Sequence, residues 1–294
     1  MRQLRRRALS AGSAAARKST YPQLLRLKLP GPLSAWKAIG FAQNSDADDI
    51  ALSLGGVEVG IGDCSSAPSS WGWRDGPSTR GPTDAPPPWW WETVASEGFT
   101  EVDVAGVPTA IDDLDADEHL ALLDARAQAS EPHPNGALGI YSVCVTTPDF
   151  DGTLTTLKES GLDLRRVRKA SDPASPLSRG LSMAFFKFGA PPGRDVILEV
   201  VAPGTQEYGT HPSPAVALER AAFPVGARAT IAGLVVEVPS IAPLAELLGP
   251  ELLGAERNAA QGHGRRIAPL KHEVAGIPIP LAFITPSQGS GARA

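Results

Sequence analysis

GALGIYSVCVTTPDFD (residues 136–151), TLTTLKESGL (153–162), MAFFKFG (183–189) and DVILEVVAP (195–203) are successive parts of one stretch, Gly136–Pro203. The first is an apolar, β-branched run that stops at Pro148. The second carries leucines at helical spacing, and the last two are strand-like again. Together they spell a small α/β unit. A weaker copy follows at Thr230–Pro286, from TIAGLVVEVPSIAPLAELLG to VAGIPIPLAFITP. Neither copy can bury both faces of its own sheet, so the repeat predicts that the two units pair.

Within the first copy, strands are expected at Ile140–Thr147, Leu164–Arg168, Leu181–Gly189 and Val196–Ala202. Within the second they are expected at Ile231–Pro239, Arg266–Glu273 and Ile279–Thr285, with PLAELLG as the helix. Gly204–Arg228 reads as a connection with a short helical piece, PAVALERAA. Upstream, LLRLKLPGPLSAWKAIGF repeats the opening theme: a strand ends at a proline, and a short helix follows with Gly40 as its stop. DIALSLGG and VEVGIGD read as two strands, and FTEVDVAGVPTAIDDL as a hairpin. Asp115–Ala129 is an exposed helix by its acidic start.

The turn residues of EPHPNG (131–136) place a boundary there. This divides the chain into a tail at 1–20, an N-terminal unit at 21–130, a paired-unit domain at 136–288 and a short disordered tail at 289–294. Residues 64–91 are rich in Pro, Gly and Ser and read as a long insertion. Its tryptophans, Trp71, Trp73, Trp89, Trp90 and Trp91, either anchor a lid or partner or fold back over an exposed sheet.

Composition narrows the function. The 294 residues are 42% hydrophobic and 20% charged, ordinary for a globular chain. A net charge of −5 gives no electrostatic case for nucleic acid or an anionic membrane as partner. No apolar run reaches the roughly 18 residues of a membrane span, so a soluble protein is expected. The two cysteines, Cys64 and Cys144, have no metal-type spacing. Phosphate-loop, GxSxG and HExxH motifs are absent from the sequence. Arg2, Arg5, Arg6, Arg7, Arg17 and Lys18 stand in an acid-free, Ala/Ser-rich start. That is the composition of a transit peptide, with the mitochondrion favoured over the plastid; the alternative is a basic tail on a cytoplasmic protein.

The three strand-to-helix openings and the closings VEVGIGD, VILEVVAP and IPLAFITP resemble the vicinal oxygen chelate superfamily of glyoxalases, bleomycin-resistance proteins and extradiol dioxygenases. The resemblance is strongest over Gly139–Pro203 with Ala229–Pro286, and PLAFITP is similar to the glyoxalase-like branch. It implies an α+β fold of repeated βαβββ modules, paired into a curved mixed sheet around a cleft, with a divergent N-terminal module added. It also implies a divalent metal held by residues on the first and last strand of each module. Aligned on the prolines, the first-strand positions fall at Ser142 and Gly233, and at Leu24 in the N-terminal unit. The last-strand positions fall at Glu199 and Ala282, with Glu58 a looser candidate. One carboxylate of four does not hold a catalytic metal tightly, so the metal site is expected to be degenerate and the cofactor stays unknown.

Glu199 is the candidate catalytic residue and the one retained metal-type ligand. It interrupts the apolar run VILEVV, sharing a strand face with Ile197 and Val201. On a cleft face it would be a half-buried acid with a raised pKa, suited to proton transfer or to holding a substrate hydroxyl. The alternative is an inherited carboxylate without chemistry. Ser142, Cys144, His272 and Arg266 are the candidate substrate-binding residues. Cys144 also reads as a buried free thiol, and His272 as a surface residue beside Glu273. Arg265 and Arg266 could meet an anionic substrate. His119, His133, His211 and His263 read as surface residues. The expected function is that of a glyoxalase-like lyase, isomerase or dioxygenase on a small oxygenated substrate or ligand, with a homodimer as the assembly considered. The alternative is a non-catalytic small-molecule binding protein.

Overall fold

A computed structural model describes residues 24–43, 52–62, 90–94, 103–104, 107–112, 116–159, 162–169, 181–188, 196–203, 229–260 and 264–287. The expected tail at 1–20, residues 64–89 of the insertion, the 204–228 connection with His211, His263 and the final residues 289–294 lie outside the described residues.

The N-terminal elements are β1 (Leu24–Pro30), α1 (Leu33–Ala38), β2 (Leu52–Leu54), β3 (Val57–Gly62), β4 (Trp90–Val94), β5 (Asp103–Val104), β6 (Val107–Asp112) and α2 (Ala116–Ala129). Their strands form one sheet in the order β2-β3-β1-β4-β6-β5. β1 runs parallel to β3 and β4 parallel to β6, while β1 and β4 join antiparallel. Among the described residues this half holds two groups of three strands, β1–β3 and β4–β6, within the divergent N-terminal region expected. Trp90 and Trp91 belong to β4, the opening strand of the second unit, not to the insertion. Helix α1 starts after Pro32 and ends where expected, with Gly40 at φ 84°, a conformation that side-chain-bearing residues rarely adopt.

The second half holds β7 (Gly139–Thr146), α3 (Phe150–Glu159), β8 (Asp163–Arg168), β9 (Leu181–Lys187), β10 (Ile197–Pro203), β11 (Thr230–Glu237), α4 (Ala242–Leu252), β12 (Arg257–Asn258), β13 (Arg266–Pro269) and β14 (Leu281–Ile284). Eight strands run β12-β13-β14-β11-β7-β10-β9-β8. Each half of that order is a βαβββ unit whose first and last strands are parallel, and β7 and β11 join the units antiparallel. Two local features differ from expectation. The strand expected over Arg266–Glu273 ends at Pro269, and His272 and Glu273 lie in a turn closed by Ile277 N–H to His272 O. Helix α4 kinks at Gly249 (φ 65°, ψ 174°) instead of ending there.

Alternation along the strands sorts the residues into two faces. Leu198 and Val200 of β10, Val143 and Val145 of β7, Phe186 of β9 and Phe283 of β14 point to one face and are fully buried or nearly so. Trp36 of α1, Leu157 of α3 and Leu244 and Leu248 of α4 pack into the same core. The N-terminal sheet contributes Leu27, Leu29, Leu52, Leu54 and Val59, so both sheets bury one continuous interior. Phe41 stacks on Phe283 across it, with ring centroids 6.3 Å apart. A Cβ at Gly31 (φ 117°) would stand 2.8 Å from Pro278 Cδ, which shows how closely the halves approach. Each fully buried Leu, Val or Phe contributes roughly 1.5–3 kcal/mol, so this shared interior dominates the stability.

The linker is clasped rather than exposed. His133 Nδ1 accepts the Ala42 N–H (3.0 Å), and its Nε2 meets Ser53 O at 2.8 Å. Asn135 donates to Ile39 O and accepts from Ala137 N–H. His133, expected at the surface, is buried, and its pKa is lowered by that burial against the opposing effect of the Ser53 carbonyl.

Candidate functional site

The face of the eight-stranded sheet turned away from the core carries Glu199. Register places Glu199 beside Cys144 of β7 on one side and Phe185 of β9 on the other, and Cys144 in turn beside Gly233 of β11. The next row runs Ala282–Val235–Ser142–Ile197–Lys187. Ser142 and Gly233 therefore occupy equivalent places about the β7–β11 join, each two residues out of step with its module's last-strand position, Glu199 or Ala282. The four positions equated from the sequence lie on one face, across the join between the modules.

The side chains there do not fit a divalent metal. Ser142, Gly233 and Ala282 leave Glu199 as the one strong donor of the four, and a structural or catalytic centre needs three or more. Among the described residues no three His, Cys, Asp or Glu side chains converge. A side chain at 233 would also be crowded, its Cβ 3.3 Å from Pro280 O and 3.6 Å from Cys144 Cβ.

Two small apolar clusters flank Glu199 on this face. One is Cys144, Leu181 and Val201 with Met183; the other is Tyr141, Ala259 and Ile284 with Ile197, Val235 and Ile267. Burial between them pushes the Glu199 carboxyl up to about 7, although the positive charge of Arg168 pulls the other way. Some of its surface still reaches solvent. Among the described residues the carboxyl has no hydrogen-bond or ion-pair partner, so burial is answered by protonation instead of by pairing.

Cys144 is a buried free thiol whose pKa is raised well above normal by burial and then by Glu199. A thiol held protonated is a poor nucleophile, so its place here is in the wall. Tyr141 reaches this face through an irregularity of pairing with β11 between Val235 and Val236. Its hydroxyl pKa is raised by burial, with Arg265 opposing and Glu199 and Glu237 adding. Arg265 lies 4.8 Å over the Tyr141 ring, 3.7 Å from Glu237 and 3.1 Å from Thr285 O. On the opposite flank, Arg168 lies 5.5 Å from the centroid of the Phe185 ring.

Of the candidate residues visible in the sequence, Glu199, Cys144 and Ser142 fall together on this face. Arg266 and His272 do not join them. Arg266 is bonded to Glu256 (2.7 Å) and Asn258 on the β12–β13 edge. His272 Nδ1 is 3.0 Å from Ile277 O within its turn. Arg168 and Tyr141 escape a reading of the sequence, because a basic alternation (DLRRVR) and a tyrosine in an apolar strand carry no sign of which way they point. Glu58, the looser candidate, is buried and paired with Arg126 Nε of α2 at 2.9 Å.

No protein-family model and no curated protein sequence matches the chain significantly. Among solved structures, methylmalonyl-CoA epimerase from Mycobacterium tuberculosis is similar over 52% of this chain and 90% of its own, at 16% identity and a TM-score of 0.36. A methylmalonyl-CoA epimerase in complex with methylmalonyl-CoA and NH4+ is similar over 51% and 94%, at 15% identity and 0.37. A xylose isomerase-like TIM barrel/4-hydroxyphenylpyruvate dioxygenase fusion protein is similar over 99% of this chain at 10% identity and 0.48, and this chain spans about half of its length (54%). The fold itself stands on strand order and register: paired βαβββ modules in one mixed sheet, the arrangement of the vicinal oxygen chelate fold.

Proposed function

We propose that the Glu199 face is a small-molecule site and that Glu199 moves a proton on an oxygenated substrate, as a glyoxalase-like isomerase or lyase with a degenerate metal site would. The observation that carries this reading is a buried carboxyl without a fixed partner, poised near neutrality. A group with its pKa near the working pH exists in both forms and exchanges protons at the least cost. The apolar clusters on either side would exclude water and sharpen electrostatic interactions with a bound carbonyl. Tyr141, its hydroxyl held protonated, supplies a donor on the β7 side for a developing oxyanion.

The loss of ligand-type residues at Ser142, Gly233 and Ala282 favours a second reading, binding without turnover on the same face. Proton transfer separates the two. The protein is incubated in D2O with a panel of 2-oxo acids and hydroxyketones, and exchange of the C–H beside the carbonyl is followed by NMR. The enzyme reading expects exchange on at least one compound, slowed about 100-fold or more by Glu199→Gln. Equal rates in both proteins would overturn it, and binding with no exchange would establish the second reading.

A further inference from the structure

The polar groups around Glu199 bear on the charge of its ligand. The cations of this face and its rim have different fates. Arg265 is committed to Glu237, Thr285 O and the Tyr141 ring, and Arg266 to Glu256 and Asn258. Arg165 pairs with Asp163, and Lys169 with Asp151; Lys187, at the end of the Ser142 row, is not free either. Arg168 is different. Register with Met183 puts it on the Glu199 face, and its guanidinium lies against Phe185, the residue in register with Glu199. Among the described residues its Nε is buried with no hydrogen-bond partner. Arg166 adds a second positive charge beside it. Glu199 is near enough to feel Arg168 but makes no ion pair with it.

A buried N–H donor of a cation left unpaired is costly, and a neighbouring like charge adds to that cost. A planar carboxylate meets both demands. It can accept from two N–H groups of a guanidinium, in the paired geometry arginine favours and lysine cannot reproduce. We infer that the ligand of this face carries a carboxylate, bound by Arg168 against Phe185 next to Glu199. The inference rests on the site reading above and specifies its substrate class, a small monocarboxylate such as a 2-oxo or 2-hydroxy acid. An inorganic phosphate dianion would face Glu199, as it ionises, with twice the charge of a carboxylate. Because a bound carboxylate opposes ionisation of Glu199, affinity should weaken as pH rises from 6 to 8.

The test is titration of the full chain with pyruvate, 2-oxobutyrate and lactate, with inorganic phosphate and hydroxyacetone as comparison probes, followed by amide chemical shifts. Carboxylate binding is expected to perturb the strands around Phe185 and Glu199. It should weaken at least tenfold in Arg168→Gln and less in Arg168→Lys. Glu199→Gln should keep the binding but lose its pH dependence. Equal affinity in Arg168→Gln, equal or tighter binding of phosphate, or no carboxylate binding would overturn the inference. If hydroxyacetone alone bound and exchanged through Glu199, the carboxylate assignment would fall and the site reading would stand. If carboxylates bound through Arg168 without exchanging, the assignment would hold and the proton-transfer reading would fall.

Discussion

The two sheets place a glutamate at the same point of the same unit and treat it in opposite ways. In the N-terminal sheet, Glu58 of β3 is in register with Arg26 of β1; in the C-terminal sheet, Glu199 of β10 is in register with Cys144 of β7. Two residues before those partners stand Leu24 and Ser142, the equivalent first-strand positions. Glu58 is covered by α2 and answered by Arg126 at 2.9 Å. On the Glu199 side no described helix intervenes, and burial is answered by a shifted pKa. A buried carboxyl must be paired or neutralised. Pairing turns Glu58 into structure, and neutralisation leaves Glu199 able to exchange a proton.

The largest way to break this comparison is to remove the α2 cation that answers Glu58 of the first sheet. Arg126→Leu should destabilise the fold by about 3 kcal/mol in chemical denaturation, because it removes a guanidinium that sits 2.9 Å from a buried carboxylate. The matching change in the second sheet should have the opposite sign. A folded pKa raised to about 7 means that the stability linked to Glu199 is fully present below the ordinary carboxylate pKa and is lost as pH rises through 7. Glu199→Gln keeps a neutral side chain at every pH. It should therefore stabilise by about 2 kcal/mol at pH 8, with the gain fading towards pH 4.5. Destabilisation by both variants at pH 8 would erase the contrast.

A smaller effect sharpens the role of the clasp between the sheets. His133 is held neutral, Nδ1 accepting from Ala42 and Nε2 facing Ser53 O. Its lowered pKa makes its contribution present above the unfolded value of about 6.5 and lost as pH falls through the folded value, the reverse of Glu199. His133→Gln should flatten the acid side of the stability profile, by about 1 kcal/mol between pH 7 and pH 5 in thermal denaturation.

Much of this is legible in the chain. The repeat of strand, proline and short helix points to the paired modules, because apolar periodicity and proline punctuation are local signals. Glu199 is visible as the one charge in VILEVV, and alternation assigns its face. What stays hidden depends on contacts between distant segments. Trp90 and Trp91 follow three prolines in a loop-like composition, and pairing with β1 makes them strand. Tyr141 changes role through a shift in β11 pairing, and Arg168 through one in β8 pairing between Leu164 and Arg166. His133 reads as a linker residue until Ala42 and Ser53, some 90 and 80 residues earlier, close on it.

The ionisation of Glu199 tests the account most directly. A carbon-13 NMR titration of the glutamate side-chain carboxyls, assigned by loss of one signal in Glu199→Gln, would read it in the intact protein. The account predicts that this carboxyl titrates with a midpoint of about 7. A midpoint in the ordinary carboxylate range, about 4 to 4.5, would contradict it.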